Sequence, residues 1–200
     1  MAKLKTISTA ILTRCEKISH KSDILKVIKE YNDLIKKVNV SNAFWYLSRH
    51  GYIKRIFLDY YYINSIEERE EGYRRGYEDK ELIYLVLNKV KWKWYVGLTS
   101  ALYESREILQ VPNNLTIINN KISKNLNILG INVKFIKMKE NLFFGLISKK
   151  TKNNINYSYS DTEKTDIDFI YLRRHNQISN KNKKTLEYMK RYPKWLKKLI

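Results

Sequence analysis

The sequence predicts an α+β protein: an N-terminal winged helix-turn-helix domain followed by a mixed α/β C-terminal domain. One stretch carries most of that expectation. Asn42 to Ile63, NAFWYLSRHGYIKRIFLDYYYI, reads as an amphipathic helix, a glycine stop and two short aromatic-aliphatic strands joined by a tight turn. Beyond it, segments of helical period interleave with short β-rich segments. A hydrophobic content of 44% over 200 residues suffices to bury the core of one large or two small domains.

Taken in order, Leu4 to about Ile18 and Ser22 to about Tyr31 read as helices. Ser22 caps the second, and Ile24, Leu25, Val27 and Ile28 supply its buried side. Leu34, Ile35 and Val38 fall in the turn region that follows or in a short intervening helix. The third helix starts at Ser41 as N-cap and stops at Gly51. Residues three, four and seven apart share a helix face, which gathers Val40, Phe44 and Leu47 into one apolar stripe flanked by Ala43. The opposite face then holds Asn42, Trp45, Tyr46 and Arg49. Tyr52 to Phe57 and Tyr60 to Ile63 suit a half-buried pleated surface, with Leu58-Asp59 as the hairpin tip.

Domain boundaries follow from the change in composition after that hairpin. Residues 1–64 form the winged helix domain, 65–79 a charged, glycine-punctuated linker or short helix, and 80–200 an α+β domain with a basic C-terminal segment. Within the second domain, Lys80 to about Val90 is a helix, Lys93 to Gly97 a strand, and Leu98 to about Ile108 another helix. Leu115 to Ile118 and Ile131 to Phe135 alternate as strands, with weaker strand signals at Leu142 to Ile147 and Asn154 to Tyr159. Asp161 starts a helix through Ile167, Phe169 and Ile170, and the chain closes on an amphipathic segment with Leu186, Met189, Trp195 and Leu196.

Charge directs the search for a partner. The 39 basic and 20 acidic residues give a formal charge of +19, which favours polyanions and nucleic acid first among them. Residues 1–63 hold 12 basic and 5 acidic side chains, 64–110 hold 8 and 9, and 111–200 hold 19 and 6, so two basic parts flank a neutral middle. No run approaches the roughly 18 consecutive apolar residues of a membrane span. The N-terminal apolar residues are interrupted by Lys, Thr, Ser and Arg, leaving no signal-peptide core, so a cytoplasmic location is expected. A single cysteine, Cys15, excludes an intrachain disulfide. His20, His50 and His175 lack ligand spacing, and neither a metal nor a cofactor is expected.

Double-stranded DNA is therefore the expected ligand of the first domain. Asn42, Trp45, Tyr46 and Arg49 are the candidates for base or sugar edges, since Asn and Arg suit bidentate contacts to adenine and guanine in the major groove. Lys36, Lys37, Lys54 and Arg55 are the candidates for phosphate contacts, and Ser41 and Tyr60 complete the set.

Three blocks add a family resemblance. Asn42 to Leu47 through Gly51 to Ile56 with Tyr60 to Ile63, Lys93 to Leu102 (KWYVGLTSAL), and Thr165 to Tyr171 (TDIDFIY) resemble the AbiEi-type antitoxins of abortive-infection systems, described as predicted transcriptional regulators of viral defence. The resemblance implies a winged helix that binds an inverted repeat near the protein's own promoter, and a C-terminal α+β domain needed for antitoxin action. It also implies an operon neighbour that is a nucleotidyltransferase-like toxin, opposed without a stable complex. A homodimer fits an inverted-repeat site. The asparagine- and lysine-rich stretch from Asn176 to Lys184 departs from the family pattern.

Two other readings compete. A nucleotidyltransferase-like enzyme would use Gly97-Leu98-Thr99-Ser100 and the Asp166/Asp168 pair. Against it, more than sixty residues separate the two blocks, and aspartates two apart on a helix diverge. No phosphate-loop spacing is present either, and the expected protein is not an enzyme. The last reading is a basic module for RNA or an acidic partner: Leu172 to Ile200 carries ten Lys or Arg and one Glu, with Tyr188, Tyr192 and Trp195 interleaved as stacking groups.

Overall fold

Isoleucine and leucine spaced at helical period, followed by short tyrosine- and isoleucine-rich runs, produce an α+β chain in the computed structural model, which describes residues 2–35, 39–70, 76–173 and 182–196. Two compact units divide it, 1–86 and 87–200.

In the first unit the order is α1 (Ala2–Arg14), β1 (Ile18–His20), α2 (Lys21–Ile35), α3 (Val40–Arg49), β2 (Ile53–Phe57), β3 (Tyr60–Ile63) and α4 (Ile66–Glu70). The strands form a three-stranded antiparallel sheet in the order β1-β3-β2. One core joins the helices to the sheet: Ile7, Ala10 and Ile11 of α1 meet Ile24, Val27 and Ile28 of α2, Ala43 and Leu47 of α3, and Ile53, Tyr61 and Ile63.

The sequence expectation differs from this unit in four places. Helix α2 starts at Lys21, so Ser22 is its second residue and not its cap. Residues 15–18 leave the helix, and Ile18 begins β1, pairing with Tyr62. A three-residue strand is too short to show a period, and only the partner β3 makes it one. Leu34 and Ile35 are not turn residues, because α2 runs on to Ile35. The N-cap of α3 is Asn39 and not Ser41: its side-chain oxygen accepts from the backbone N–H of Ser41 at 2.9 Å and of Asn42 at 3.3 Å. The hairpin tip is where the tyrosine and isoleucine spacing puts it. Leu58 and Asp59 both take positive φ, 49° and 57°, as a two-residue type I′ turn requires.

The helix α5 (Asp79–Lys89) spans the division between the units. The second unit then follows as β4 (Trp94–Val96), α6 (Thr99–Glu104), β5 (Leu115–Asn119), β6 (Lys124–Ile128), β7 (Ile131–Lys137), a 3-10 turn at Glu140–Leu142, β8 (Leu146–Lys150), β9 (Asn156–Ser160), α7 (Thr162–Tyr171) and α8 (Lys183–Met189). The strands build a six-stranded mixed sheet in the order β6-β7-β5-β4-β9-β8, with β5 parallel to β7 and β4 parallel to β9. Its core gathers Tyr95, Leu98, Ile118, Ile136, Met138, Ile167, Ile170, Met189, Tyr192 and Leu196.

Strand β6, KNLNI, was not expected, because asparagine and lysine mask its alternation; its full register against β7, from Lys124 opposite Phe135 to Ile128 opposite Ile131, defines it. The helix α6 is also shorter than expected and ends at Glu104. Among the described residues no helix is long and apolar enough to cross a membrane.

Candidate nucleic-acid interface

Helix α3 turns its apolar stripe inward and leaves a polar and aromatic face outside. Ala43 and Leu47 are buried and Phe44 is half-buried against Tyr61, with ring centroids 5.2 Å apart. Ser41, Asn42, Trp45, Ser48 and Arg49 are exposed. Trp45 keeps 58% of its surface in solvent, a large indole left without cover on the middle of a helix. The Arg49 guanidinium lies over that ring, 5.0 Å from its centroid.

Tyr46 behaves differently from its neighbours. It is half-buried, tilted against the His50 ring at 4.0 Å and stacked on Tyr52 at 6.4 Å, and so forms the shoulder of the face. Beyond Gly51, which has a φ of +72°, the chain reverses into β2, where Lys54 and Arg55 are exposed. Arg55 pairs with Asp59 across the hairpin tip at 3.2 Å, with both side chains more than half exposed. Tyr60 is half-buried and meets the His20 ring edge-on at 5.2 Å. Lys36 and Lys37 lie outside the described residues.

Thus Ser41, Asn42, Trp45 and Arg49 share one helix, and Lys54 and Arg55 share the hairpin that follows it. Sequence reasoning missed Lys21, the first residue of α2, whose ammonium sits 5.4 Å from the Phe44 ring. No residue pattern announces it, since its position depends on the packing of α2 on α3.

The hairpin is held from behind by α4. Glu68 accepts from Lys17 Nζ at 2.5 Å, Tyr62 Oη at 2.5 Å and the Ser65 backbone N–H at 2.8 Å. Burial acts to raise its pKa, but these three donors outweigh it and hold the carboxyl below its ordinary range.

In the second unit several of the residues singled out for other functions are tied into the core, while Thr99 and Trp195 are exposed. Ser100 Oγ donates to the Asn114 carbonyl at 3.0 Å and accepts from the Thr116 N–H at 2.9 Å. Asp168 is fully buried against Lys164, Tyr95 and Tyr192, while Asp166 is half-buried. Tyr188 donates to Asp161 at 2.9 Å, and Trp195 stacks on Tyr171 at 6.2 Å. The aromatic residues of the basic tail thus serve packing as well as charge. Among the described residues no group of His, Cys, Asp and Glu has metal-binding geometry.

No protein-family model matches the chain, and no curated protein matches it either.

Proposed function

We propose that the first unit is a winged helix domain and that the protein is a DNA-binding transcriptional regulator. The observation that carries this reading is the pairing of α3, with Asn42, Trp45 and Arg49 exposed, and the β2–β3 hairpin, with Lys54 and Arg55 exposed. The order α1-β1-α2-α3-β2-β3 and the sheet order β1-β3-β2 also support it, because in a winged helix the hairpin follows the DNA-reading helix directly in sequence. In this reading α3 lies in the major groove, Asn42 and Arg49 reach base edges, and Trp45 presses on sugar or a thymine methyl. Lys54 and Arg55, with Lys36 and Lys37, contact phosphate.

The regulator is further proposed to be the antitoxin of an abortive-infection operon that represses its own promoter, binding an inverted repeat as a homodimer. A nucleotidyltransferase-like toxin would be its functional partner. That part rests on the resemblance of the three sequence blocks to AbiEi-type antitoxins, and it assigns the protein no catalysis.

The test is a titration of the purified protein against its own upstream DNA and a scrambled duplex of equal length, across salt concentrations. Preference for the upstream DNA is expected. Equal binding to both, falling steeply with salt, would reduce the interaction to the +19 charge and end the regulator reading.

A further inference from the structure

Alternation along two neighbouring strands of the second unit puts an unexpected group beside the core. In β5 and β7 the register pairs Ile118 with Ile136 and Thr116 with Lys134. These four side chains share one face of the sheet, because residues two apart on a strand do. Ile118 and Ile136 belong to the core, but two residues along the same face the chain supplies a threonine and a lysine. Thr116 is only 3% exposed and Lys134 is half-buried. Placing a lysine there costs apolar burial unless its charge has something to meet.

Both residues line a cleft of about 270 Å³, together with Thr99 at the start of α6 and Gln110, Asn113 and Asn114 from the loop before β5. No acidic side chain lines it. The polar side-chain atoms of these six residues make no hydrogen bond or ion pair with any other described residue. Elsewhere in the unit comparable groups are used internally. Asn119 makes four side-chain hydrogen bonds to backbone, and Lys149 pairs with Glu104 at 3.1 Å. The residues that line the cleft thus carry one ammonium, three amides and two hydroxyls with no partner among the described residues.

We propose that this cleft is a binding site for a small oxyanion, phosphate or carboxylate, with Lys134 as its charge partner. The lining supplies donors and a positive charge without a carboxylate, which selects an anion over a cation. Its volume is just under the roughly 300–1,000 Å³ of drug-sized ligand sites, so the ligand is no larger than a nucleoside monophosphate. Ile108, Val111 and Pro112 give the cleft one apolar wall on which the rest of such a ligand rests. The site lies within the second unit and is independent of DNA binding by the first.

Calorimetric titration of the full chain with inorganic phosphate, acetate and AMP, at constant ionic strength set by chloride, tests the assignment. Saturable binding of at least one of them is expected. Lys134→Met should weaken it at least tenfold, and Asn113→Ala, on the exposed loop, should also weaken it while leaving the melting temperature unchanged. Lys137→Met is the control, since Lys137 is exposed on the opposite face of β7. AMP binding well above phosphate identifies a nucleotide ligand, and equal binding identifies the free anion. The proposal fails if none of the three saturates by about 10 mM, a Kd too weak to be worth 3 kcal/mol. It also fails if the Lys134 and Lys137 variants lose affinity equally, which would mean net charge alone.

Discussion

Lys164 and Asp168, one turn apart in α7, form an ion pair with neither side chain exposed. Tyr192 donates to Asp168 at 2.5 Å and Tyr95 at 2.8 Å, so the carboxylate is enclosed by three donors. Burial, with Asp168 facing them, pushes both phenols well above their ordinary range and keeps them protonated donors. Burial also pushes the Lys164 ammonium down, against the pull of Asp168. Removing one partner of such a pair leaves an uncompensated buried charge. Asp168→Ala should therefore cost about 3–5 kcal/mol in denaturant unfolding, and the double variant Lys164→Met/Asp168→Leu should cost much less. A single substitution that costs no more than the double would show that the pair is not electrostatically isolated.

Acid should loosen the first unit through Glu68. Its folded pKa lies below the ordinary 4.5, so its contribution is present above 4.5 and is lost as pH falls through the depressed value. Urea unfolding of the wild type is expected to weaken as pH falls below 4.5. Glu68→Gln should be less stable at neutral pH and show a shallower loss below that pH. Parallel acid profiles for the two proteins would assign the loss to other carboxylates.

What was legible in the sequence was whatever a single element determines. The apolar stripe of α3, the I′ hairpin tip and the Asp161 cap of α7 all depend on residues within a few positions of each other. What was not legible depends on partners distant in sequence. Strand β1 exists because β3 pairs with it, and β6 because β7 does. Helical spacing showed that Asp166 and Asp168 diverge, but not that folding joins Asp168 to Lys164 and to tyrosines 73 and 24 residues away. For the candidate interface, helical spacing grouped Asn42, Trp45 and Arg49, but it did not foresee Tyr46 packed against His50 or Arg55 held by Asp59.

Gly97 leaves no room for a side chain between β4 and α6. A Cβ there would stand 2.6 Å from Ile118 Cγ1, a contact too short for any residue to keep. Gly97→Ala is expected to destabilise the second unit by about 1–3 kcal/mol, because the packed strand must shift to relieve it. Ile118→Ala alone should cost about 2–5 kcal/mol through the cavity it creates. In the double variant the alanine at 97 should add little, since the clashing atom is gone. Additive losses would mean that the backbone, and not Ile118, sets the limit at this position.

The Arg55–Asp59 pair gives the β2–β3 hairpin a prediction that distinguishes its two basic residues. Lys54 is exposed and pairs with no described carboxylate, whereas the Arg55 guanidinium is partly occupied by one 3.2 Å away. An exposed pair of this kind contributes at most about 1 kcal/mol to stability, so phosphate competes with it readily. Lys54→Ala should lower the slope of log affinity against log salt by about one, and Arg55→Ala by less. Asp59→Asn should raise affinity for all duplexes, because it frees Arg55 and removes a negative charge from the tip. Asparagine also tolerates the positive φ of that position, so the turn is kept. Arg49→Ala, by contrast, should cost about 1–3 kcal/mol on the preferred sequence and little on a scrambled one. Salt-series titrations of these four variants separate the roles. If Asp59→Asn binds no better than wild type and Arg49→Ala binds both duplexes as wild type does, then neither the hairpin nor α3 touches DNA.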